Sequence, residues 1–575
     1  MAEQPQSERS RSGEFGRMAG LAVVLAIALV LRLIGITWGL PDETHLFSYH
    51  PDEFHSLRGA ISLALGDANP HFFNYGSLYL YLVAAAAALA HPGIFASLIS
   101  AAPGSPELPE ALRAWTLDAR VVTVLLAVGT VAVVYATARR IWGHREGLAA
   151  GLLLALAPLH VLQSHYATVD VPGAFFTALA CYFAVAMLRE PTWRNVLAAG
   201  AAAGLAASVK YSGAVAIIAP IIAWAIVRFG ERDPDERPSW AMLPALAGAA
   251  FAAFALTSPY TFLDWQSAWR DISFEIQHMR TGDDPAMMAL YPSGPAFHAG
   301  NLALGSGYVM LAAALVGVVG SLALRRREPW PLLAFGLLAF GMIAGAEVRY
   351  ARYAIALLPV IAVLAAGVVS DDMLATVQGR WETWARAAAV SLLLLASVLS
   401  AGIIDHRILR ELTAGDARAE ALTLLQEQVP VGERIGLITE PWFYHPPVDY
   451  CNGGVALRDN PLWAAYRRPV RDLAVLGLDP ESLREASPRV VVLTGFEVGV
   501  PLLADDPGAG ALVAALREQG YHRVAEFRGN PWPGGSARAL AQDLSYPFPW
   551  IEVWRRGGLV TGAADGGMIA ADERI

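Results

Sequence analysis

Apolar runs of about 17–25 residues recur through the first 400 residues, each long enough to cross the hydrocarbon core of a bilayer. No other feature constrains the fold as strongly. Backbone polar groups in lipid must be satisfied internally, so such runs form helices. Of the 575 residues, 55% are hydrophobic and only 16% are charged, whereas about a quarter are charged in soluble proteins. The chain is therefore expected to be an all-α polytopic membrane bundle. Twelve stretches stand out, at 18–39, 77–98, 121–141, 147–164, 169–188, 195–209, 212–229, 240–257, 301–324, 331–346, 350–369 and 384–404. Cys181 and Cys451 make neither a disulfide framework nor a zinc signature. The net charge of −9 says little, being split between faces and domains, but no concentrated basic surface is visible, so no nucleic-acid partner is expected.

Arginine placement gives orientation, because cytoplasmic loops are enriched in Lys and Arg. The tail 1–17, with Arg9, Arg11 and Arg17, reads as cytoplasmic, as do the loops holding Arg139-Arg140, Arg189 to Arg194, Arg228, Arg325-Arg326-Arg327 and Arg380 to Arg386. The alternating segments 41–76, 165–170, 210–211, 259–300, 347–349 and everything beyond 404 are then external. Twelve simple crossings do not satisfy this pattern. Either 77–98 enters and returns without crossing, or a further short crossing hides in 93–118, so the expected number is 11–13. Segment 259–300 carries Trp265, Trp269, Phe274, Ile276 and Met279 at helical spacing, the pattern of an amphipathic helix at the interface. The membrane domain spans 18–404. A small soluble α/β domain follows at 405–556, with strands at 434–439, 489–494, 522–527 and 551–554 and a mostly parallel sheet expected. Residues 557–575 have a disordered composition.

Chemistry concentrates at the external segments. Asp52 and Glu53 follow the first span closely. They fit a capped helix start, since Asp is a favoured N-cap. They equally fit a partly desolvated general base. His45, His50 and His55 lie nearby and leave a divalent cation possible, although the spacing matches no standard metal site. Asp170 and His165 sit between two apolar stretches, a costly place for polar groups that do not face a cavity or partner. Lys210, Arg349 and Arg352 run against the positive-inside tendency. Snorkelling or internal pairing would explain them, as with Arg32 inside the first span. A cradle for a lipid phosphate would also explain them.

Together these residues resemble a known family. Asp52-Glu53 in a loop after the first span is similar to the dolichyl-phosphate-mannose protein mannosyltransferases and the lipid A aminoarabinose transferases, which have the GT-C fold. Arg120 with Ala138-Arg139-Arg140-Ile141-Trp142-Gly143, Ala157-Pro158 with Ser164-His165 and Asp170, Gly204-Leu205 with Lys210-Tyr211, Ser258-Pro259-Tyr260, and Arg349-Tyr350-Ala351-Arg352-Tyr353 with Leu358-Pro359 resemble further family elements in order. The resemblance spans about residues 18–370. It implies a GT-C glycosyltransferase of the plasma (inner) membrane that moves a sugar from a polyprenyl-phosphate donor to an acceptor, with inversion. Asp52 would be the base, with Glu53 and Asp170 beside it. Lys210, Arg349 and Arg352 would hold the donor phosphate, and His55, Tyr75, His165 and Tyr353 would complete the substrate site. His55 and Phe73-Asn74-Tyr75-Gly76 depart from the family pattern, and no sugar-binding module of the protein mannosyltransferases is recognisable in the tail. The alternative from another class is a multi-span transporter or flippase for an anionic or lipid-linked substrate.

Overall fold

The structure is a computed structural model that describes residues 6–94, 104–231, 233–282, 284–370, 382–454, 461–469, 471–528 and 541–557. The Gly- and Ala-rich end beyond 557 and part of the connection expected to hide a further crossing lie outside the described residues. Among the described residues, five segments are long and apolar enough to cross a membrane: Gly16–Leu33, Glu107–Ile141, Asp170–Arg189, Tyr211–Arg228 and Ser391–Gln428. Shorter apolar helices, including Met242–Thr257 and Trp330–Ala344, join them. The stretch expected at 301–324 is instead bent by 110° between Gly294–Ser306 and Tyr308–Ala323. Gly307 sits at this corner with φ +82°, which a residue bearing Cβ adopts only under strain.

Arg32 does not snorkel. It is buried, and it donates to Ser164 Oγ at 3.2 Å, to the carbonyls of Ala28 and Ala155 at 2.9 and 3.1 Å, and to His160 Nδ1 at 2.8 Å. Internal hydrogen bonds replace the water that this guanidinium gives up.

The helix Glu107–Ile141 has 35 residues, so it is roughly 52 Å long at about 1.5 Å per residue and outreaches a bilayer core. The short helix Leu78–Ala90 crosses its projecting end. Tyr79 Oη donates to the Ala119 carbonyl at 3.1 Å and lies 2.6 Å from Thr123 Oγ1. His91, at the other end of the short helix, lies 3.3 Å from Asp118. Both ends of Leu78–Ala90 thus meet one short stretch of the long helix. The long helix begins at the end of the bundle that carries loop 41–76.

Two apolar stretches break at matching points. Trp193–Val209 ends at Lys210, whose backbone is extended, and a 3₁₀ helix Tyr211–Ile217 leads into Ile218–Arg228. Tyr350 is likewise extended, and a 3₁₀ helix Ala351–Leu357 leads into Leu358–Gly367. Seven residues is long for a 3₁₀ helix, whose runs seldom exceed three or four. Each irregular segment carries a cation, Lys210 at the first and Arg352 at the second.

The amphipathic segment is a helix, Trp265–Thr281. Trp265 and Trp269 are 62% and 66% exposed on its apolar side, as suits an interfacial helix. On its other side Asp271 accepts from the Phe73 N–H at 3.1 Å and Glu275 from Asn74 Nδ2 at 2.6 Å, tying it to loop 41–76.

The C-terminal part holds a five-stranded sheet: β1 (Arg434–Leu437), β2 (Asp472–Val475), β3 (Val490–Thr494), β4 (Tyr521–Phe527) and β5 (Ile551–Arg556), in the order β2-β1-β3-β5-β4. Strands β2, β1 and β3 are parallel, whereas β5 runs antiparallel to both β3 and β4. The sheet is therefore mixed rather than mostly parallel. Strand β2 escaped the sequence reading, being a four-residue edge strand that starts on Asp472. Alternate residues of β3 feed two cores. Val490 and Val492 pack with Leu422 and Leu425 of helix Ala417–Gln428. Val491 and Leu493 pack with Leu483, Leu512 and Leu516 of the helices on the other face.

Arg418 fastens this domain to the loop after the first span. It is fully buried, pairs with Asp416 at 2.8 Å, and donates to the carbonyls of Phe443 at 2.6 Å and Tyr546 at 2.9 Å. Its guanidinium carbon lies 3.9 Å from the Tyr49 ring centroid. Breaking a buried pair from one side costs about 3–5 kcal/mol. Arg418→Met is therefore expected to lower the thermal midpoint of the purified protein and to expose the 405–450 region to limited proteolysis. An unchanged midpoint and digestion pattern would show that the fastening does not depend on this residue.

Candidate active site

Asp52 stands at the start of the short helix Glu53–Ser56 but does not cap it with its side chain. Its carboxylate is turned instead to Arg352, with Nη2 2.9 Å from Oδ2. Its neighbour has the opposite fate. Glu53 is fully buried and receives two bonds from Arg120, both 2.7 Å, and one from the Ala167 N–H at 2.8 Å. Arg120 also donates to the carbonyls of Ile36 and Trp38 at 2.7 and 2.6 Å. Two parallel N–H···O bonds are the strongest form of this pair. Glu53 therefore anchors the loop and does not reach the cavity, contrary to the expected catalytic role.

A cavity of about 1370 Å³ opens beside Asp52, lined also by His55, Tyr75, Asp170, Lys210 and Arg352, with Tyr353 completing the expected set. The charges form a row. Lys210 Nζ lies 2.7 Å from Asp170 Oδ1, Arg352 Nε lies 3.8 Å from Asp170 Oδ2, and Arg352 reaches Asp52. The two 3₁₀ breaks deliver the two cations of this row. Tyr353 and Tyr350 lie under them, at 4.4 Å from Lys210 and 4.1 Å from Arg352. Asp543 of the C-terminal part fixes the second break by accepting from the backbone N–H groups of Ala351 and Arg352 at 2.9 and 2.7 Å.

Burial pushes the Asp52 carboxyl up, but Arg352, helped by His50, His55 and Lys210, outweighs it and holds Asp52 below its ordinary range. Burial pushes the imidazoles of His50 and His55 down, His50 to about 4, although Asp52 opposes this. His50 is thus neutral near pH 7, and its Nδ1 accepts from the Asp52 N–H at 3.2 Å.

Two other expected residues lie away from the cavity lining. Arg349 is buried, donating to the carbonyls of Tyr291 and Ala346 at 3.2 and 2.8 Å and pairing with Glu347. The ring nitrogens of His165 lie 2.8 and 2.9 Å from the Val161 and Ile34 carbonyls. Both hold backbone where substrate contact was expected. Among the described residues no group of three or more His, Cys, Asp or Glu side chains is placed to hold a metal ion.

Sequence reasoning missed Arg58. It lines the cavity, stacks 4.9 Å over the Phe72 ring and makes no ion pair among the described residues. It begins the helix Arg58–Ala64, just after the short helix Glu53–Ser56 that holds His55. Sequence reasoning also missed a wall contributed by the C-terminal part, comprising Trp442, Phe443, Tyr444, Phe496, Gln542 and Tyr546.

Residues 114–261 match a family model described as dolichyl-phosphate-mannose-protein mannosyltransferase. No curated protein matches the sequence. Among solved structures, the chain is similar to the oligosaccharyltransferase AglB from Archaeoglobus fulgidus, determined with an inhibitory peptide and a dolichol-phosphate. The TM-score is 0.50 and the identity 16%, over 89% of this chain and 73% of that one. It is also similar to ArnT from Cupriavidus metallidurans bound to undecaprenyl phosphate, with a TM-score of 0.50 and 14% identity, over 92% of this chain and 97% of that one. The resemblance seen in the sequence is thereby borne out at the level of fold: this multi-pass membrane chain has the GT-C glycosyltransferase fold, with the mannosyltransferase family pattern at 114–261.

Proposed function

We propose that the protein transfers a sugar from a polyprenyl monophosphate to an acceptor hydroxyl on the external face of the membrane. The observation that carries this reading is the row Asp52–Arg352–Asp170–Lys210 along one cavity wall. The polyprenyl phosphates in the two solved structures of this fold support the donor class. The arginine-rich loops, assigned to the cytoplasm, support an external site. The C-terminal domain docks on loop 41–76 and shares its side.

The acceptor oxygen attacks the anomeric carbon while the bond from that carbon to the phosphate oxygen breaks. Asp52 takes the acceptor proton. Arg352 and Lys210 hold the charge that returns to the lipid phosphate as it leaves. A single displacement of this kind inverts the anomeric centre. Asp170 keeps Lys210 and Arg352 in place, and Tyr75, Tyr353 and His55 shape the space between base and phosphate. Arg352 serves two partners in turn. Paired with Asp52 it keeps the base ionised but weak; drawn to a phosphate it releases a buried carboxylate, whose proton affinity then rises.

Asp52→Asn is expected to reduce transfer by about 10²–10⁴-fold, the contribution typical of a general base, with undecaprenyl phosphate binding retained. Full activity in this variant would sink the assignment. Arg352→Gln is expected to weaken binding of undecaprenyl phosphate, and unchanged affinity would contradict the cradle.

The pH profile is a separate check. Because the folded protein lowers the Asp52 pKa, the base is present above it and is lost as pH falls through it. The acid limb of kcat/KM should therefore lie below about pH 4, the ordinary carboxylate value. In Arg352→Gln the effect of burial is left less opposed, and the limb should move up. A limb that stays in place would remove Arg352 as the group that sets the base.

A further inference from the structure

The C-terminal domain is part of the cavity. Arg352 Nη2 touches Asp52, and its Nη1 lies 3.5 Å from Tyr546 Oη. The Tyr546 ring packs on Phe443 with centroids 5.1 Å apart, and Phe443 packs on Trp442 at 5.1 Å. A continuous aromatic surface therefore runs from the reacting centre to Trp442.

This surface is rigidly backed. His445 Nε2 and Glu497 Oε2 are 3.0 Å apart in a buried pair, and Thr439 and Thr494 donate to the same carboxylate at 2.6 and 2.9 Å. His445 Nδ1 accepts from the Trp442 N–H at 3.1 Å. The network fixes residues 439–445 against the end of β3. Gly454 lies against one face of the Trp442 indole, where an added Cβ would come within 3.1 Å of the ring. Yet Trp442 is 41% exposed, while Phe443 and Tyr444 beside it are buried. A large aromatic ring backed on one side, and left open on a cavity wall, is a platform rather than a core residue.

The chemistry of the wall narrows its ligand. Trp442, Phe443, Tyr444, Phe496, Gln542 and Tyr546 carry no formal charge near pH 7, whereas the Asp52 side of the cavity is charged. Gln542 supplies an amide, which both donates and accepts. Aromatic faces beside a neutral amide suit a ligand with flat C–H faces and vicinal hydroxyls. The wall is built from a loop, a helical turn at Gly495–Gly499 and a 3₁₀ turn at Gln542–Leu544, so it offers no strand edge to pair with an extended peptide.

We propose that this wall is an acceptor subsite for a neutral saccharide, with a sugar ring stacked on Trp442 and its hydroxyls read by Gln542. The subsite rests on the transferase reading, and it makes the C-terminal domain the part that selects the acceptor.

The test uses the full chain purified in detergent and applied to immobilised neutral oligosaccharides and, separately, to immobilised Ser/Thr-containing peptides. Undecaprenyl phosphate binding is measured in parallel. The expected result is binding to one or more oligosaccharides, reduced about tenfold or more in Trp442→Ala and less in Trp442→Phe. Gln542→Ala should also weaken it, and undecaprenyl phosphate affinity should stay unchanged in all three variants. Retention on peptides alone, or on neither array, would overturn the subsite. Saccharide binding indifferent to both Trp442→Ala and Gln542→Ala would overturn it too. Loss of undecaprenyl phosphate binding by the unaltered chain would instead count against the donor reading, so the two failures are separable.

Discussion

Everything at the site depends on the buried pair of Glu53 with Arg120. Two charges withdrawn from water are tolerated only when their bonds are nearly complete. Here Glu53 takes three hydrogen bonds, and Arg120 turns both Nη1 donors to the carbonyls of Ile36 and Trp38. One interaction thus joins the end of the first span, the loop after it, the long helix Glu107–Ile141 and the turn at Ala167. Asp52 follows from this pinning. With Glu53 held inward, the preceding carboxylate is directed to the cavity and meets Arg352. Adjacent acids of similar chemistry acquire different roles through their partners alone.

The second constraint is the cost of cations near lipid. Lys210 stands in the turn after Trp193–Val209 and Arg352 in the 3₁₀ helix Ala351–Leu357, so neither cation lies on a regular α-helix facing lipid. The breaks turn both cations toward Asp170 and the cavity. Asp543 then satisfies two backbone N–H groups at the second break. An acceptor from the C-terminal domain is thereby built into the geometry of the membrane part. This explains why the sheet domain is docked through Arg418 and not merely tethered to the last long helix.

Much of this was legible in sequence because charge in an apolar context is conspicuous. Asp52, Asp170, Lys210 and Arg352 stood out for that reason, and all four line one cavity. What was not legible depended on direction. Asp52 and Glu53 are adjacent, and only Arg120, distant in sequence, decides which faces the cavity. Arg349 and Arg352 are three apart, but the backbone passes from extended to 3₁₀ between them, so helical spacing does not describe them. His165 stands out as a polar group between two apolar stretches, and backbone carbonyls account for it as well as a substrate would. In the tail, the apolar runs gave most strands. The sheet's mixed direction and the aromatic wall of the cavity arise from tertiary docking, which no local pattern records.

The account's central claim is that the row of charges from Asp52 to Lys210 receives a lipid phosphate. Its most direct test is an experimental structure of the full chain with undecaprenyl phosphate bound. The phosphate is predicted to contact Arg352 and Lys210, with the Arg352–Asp52 distance lengthened beyond 2.9 Å and the Asp52 carboxylate facing the space beside the phosphate. A phosphate held elsewhere, with the Arg352–Asp52 pair intact, would contradict it.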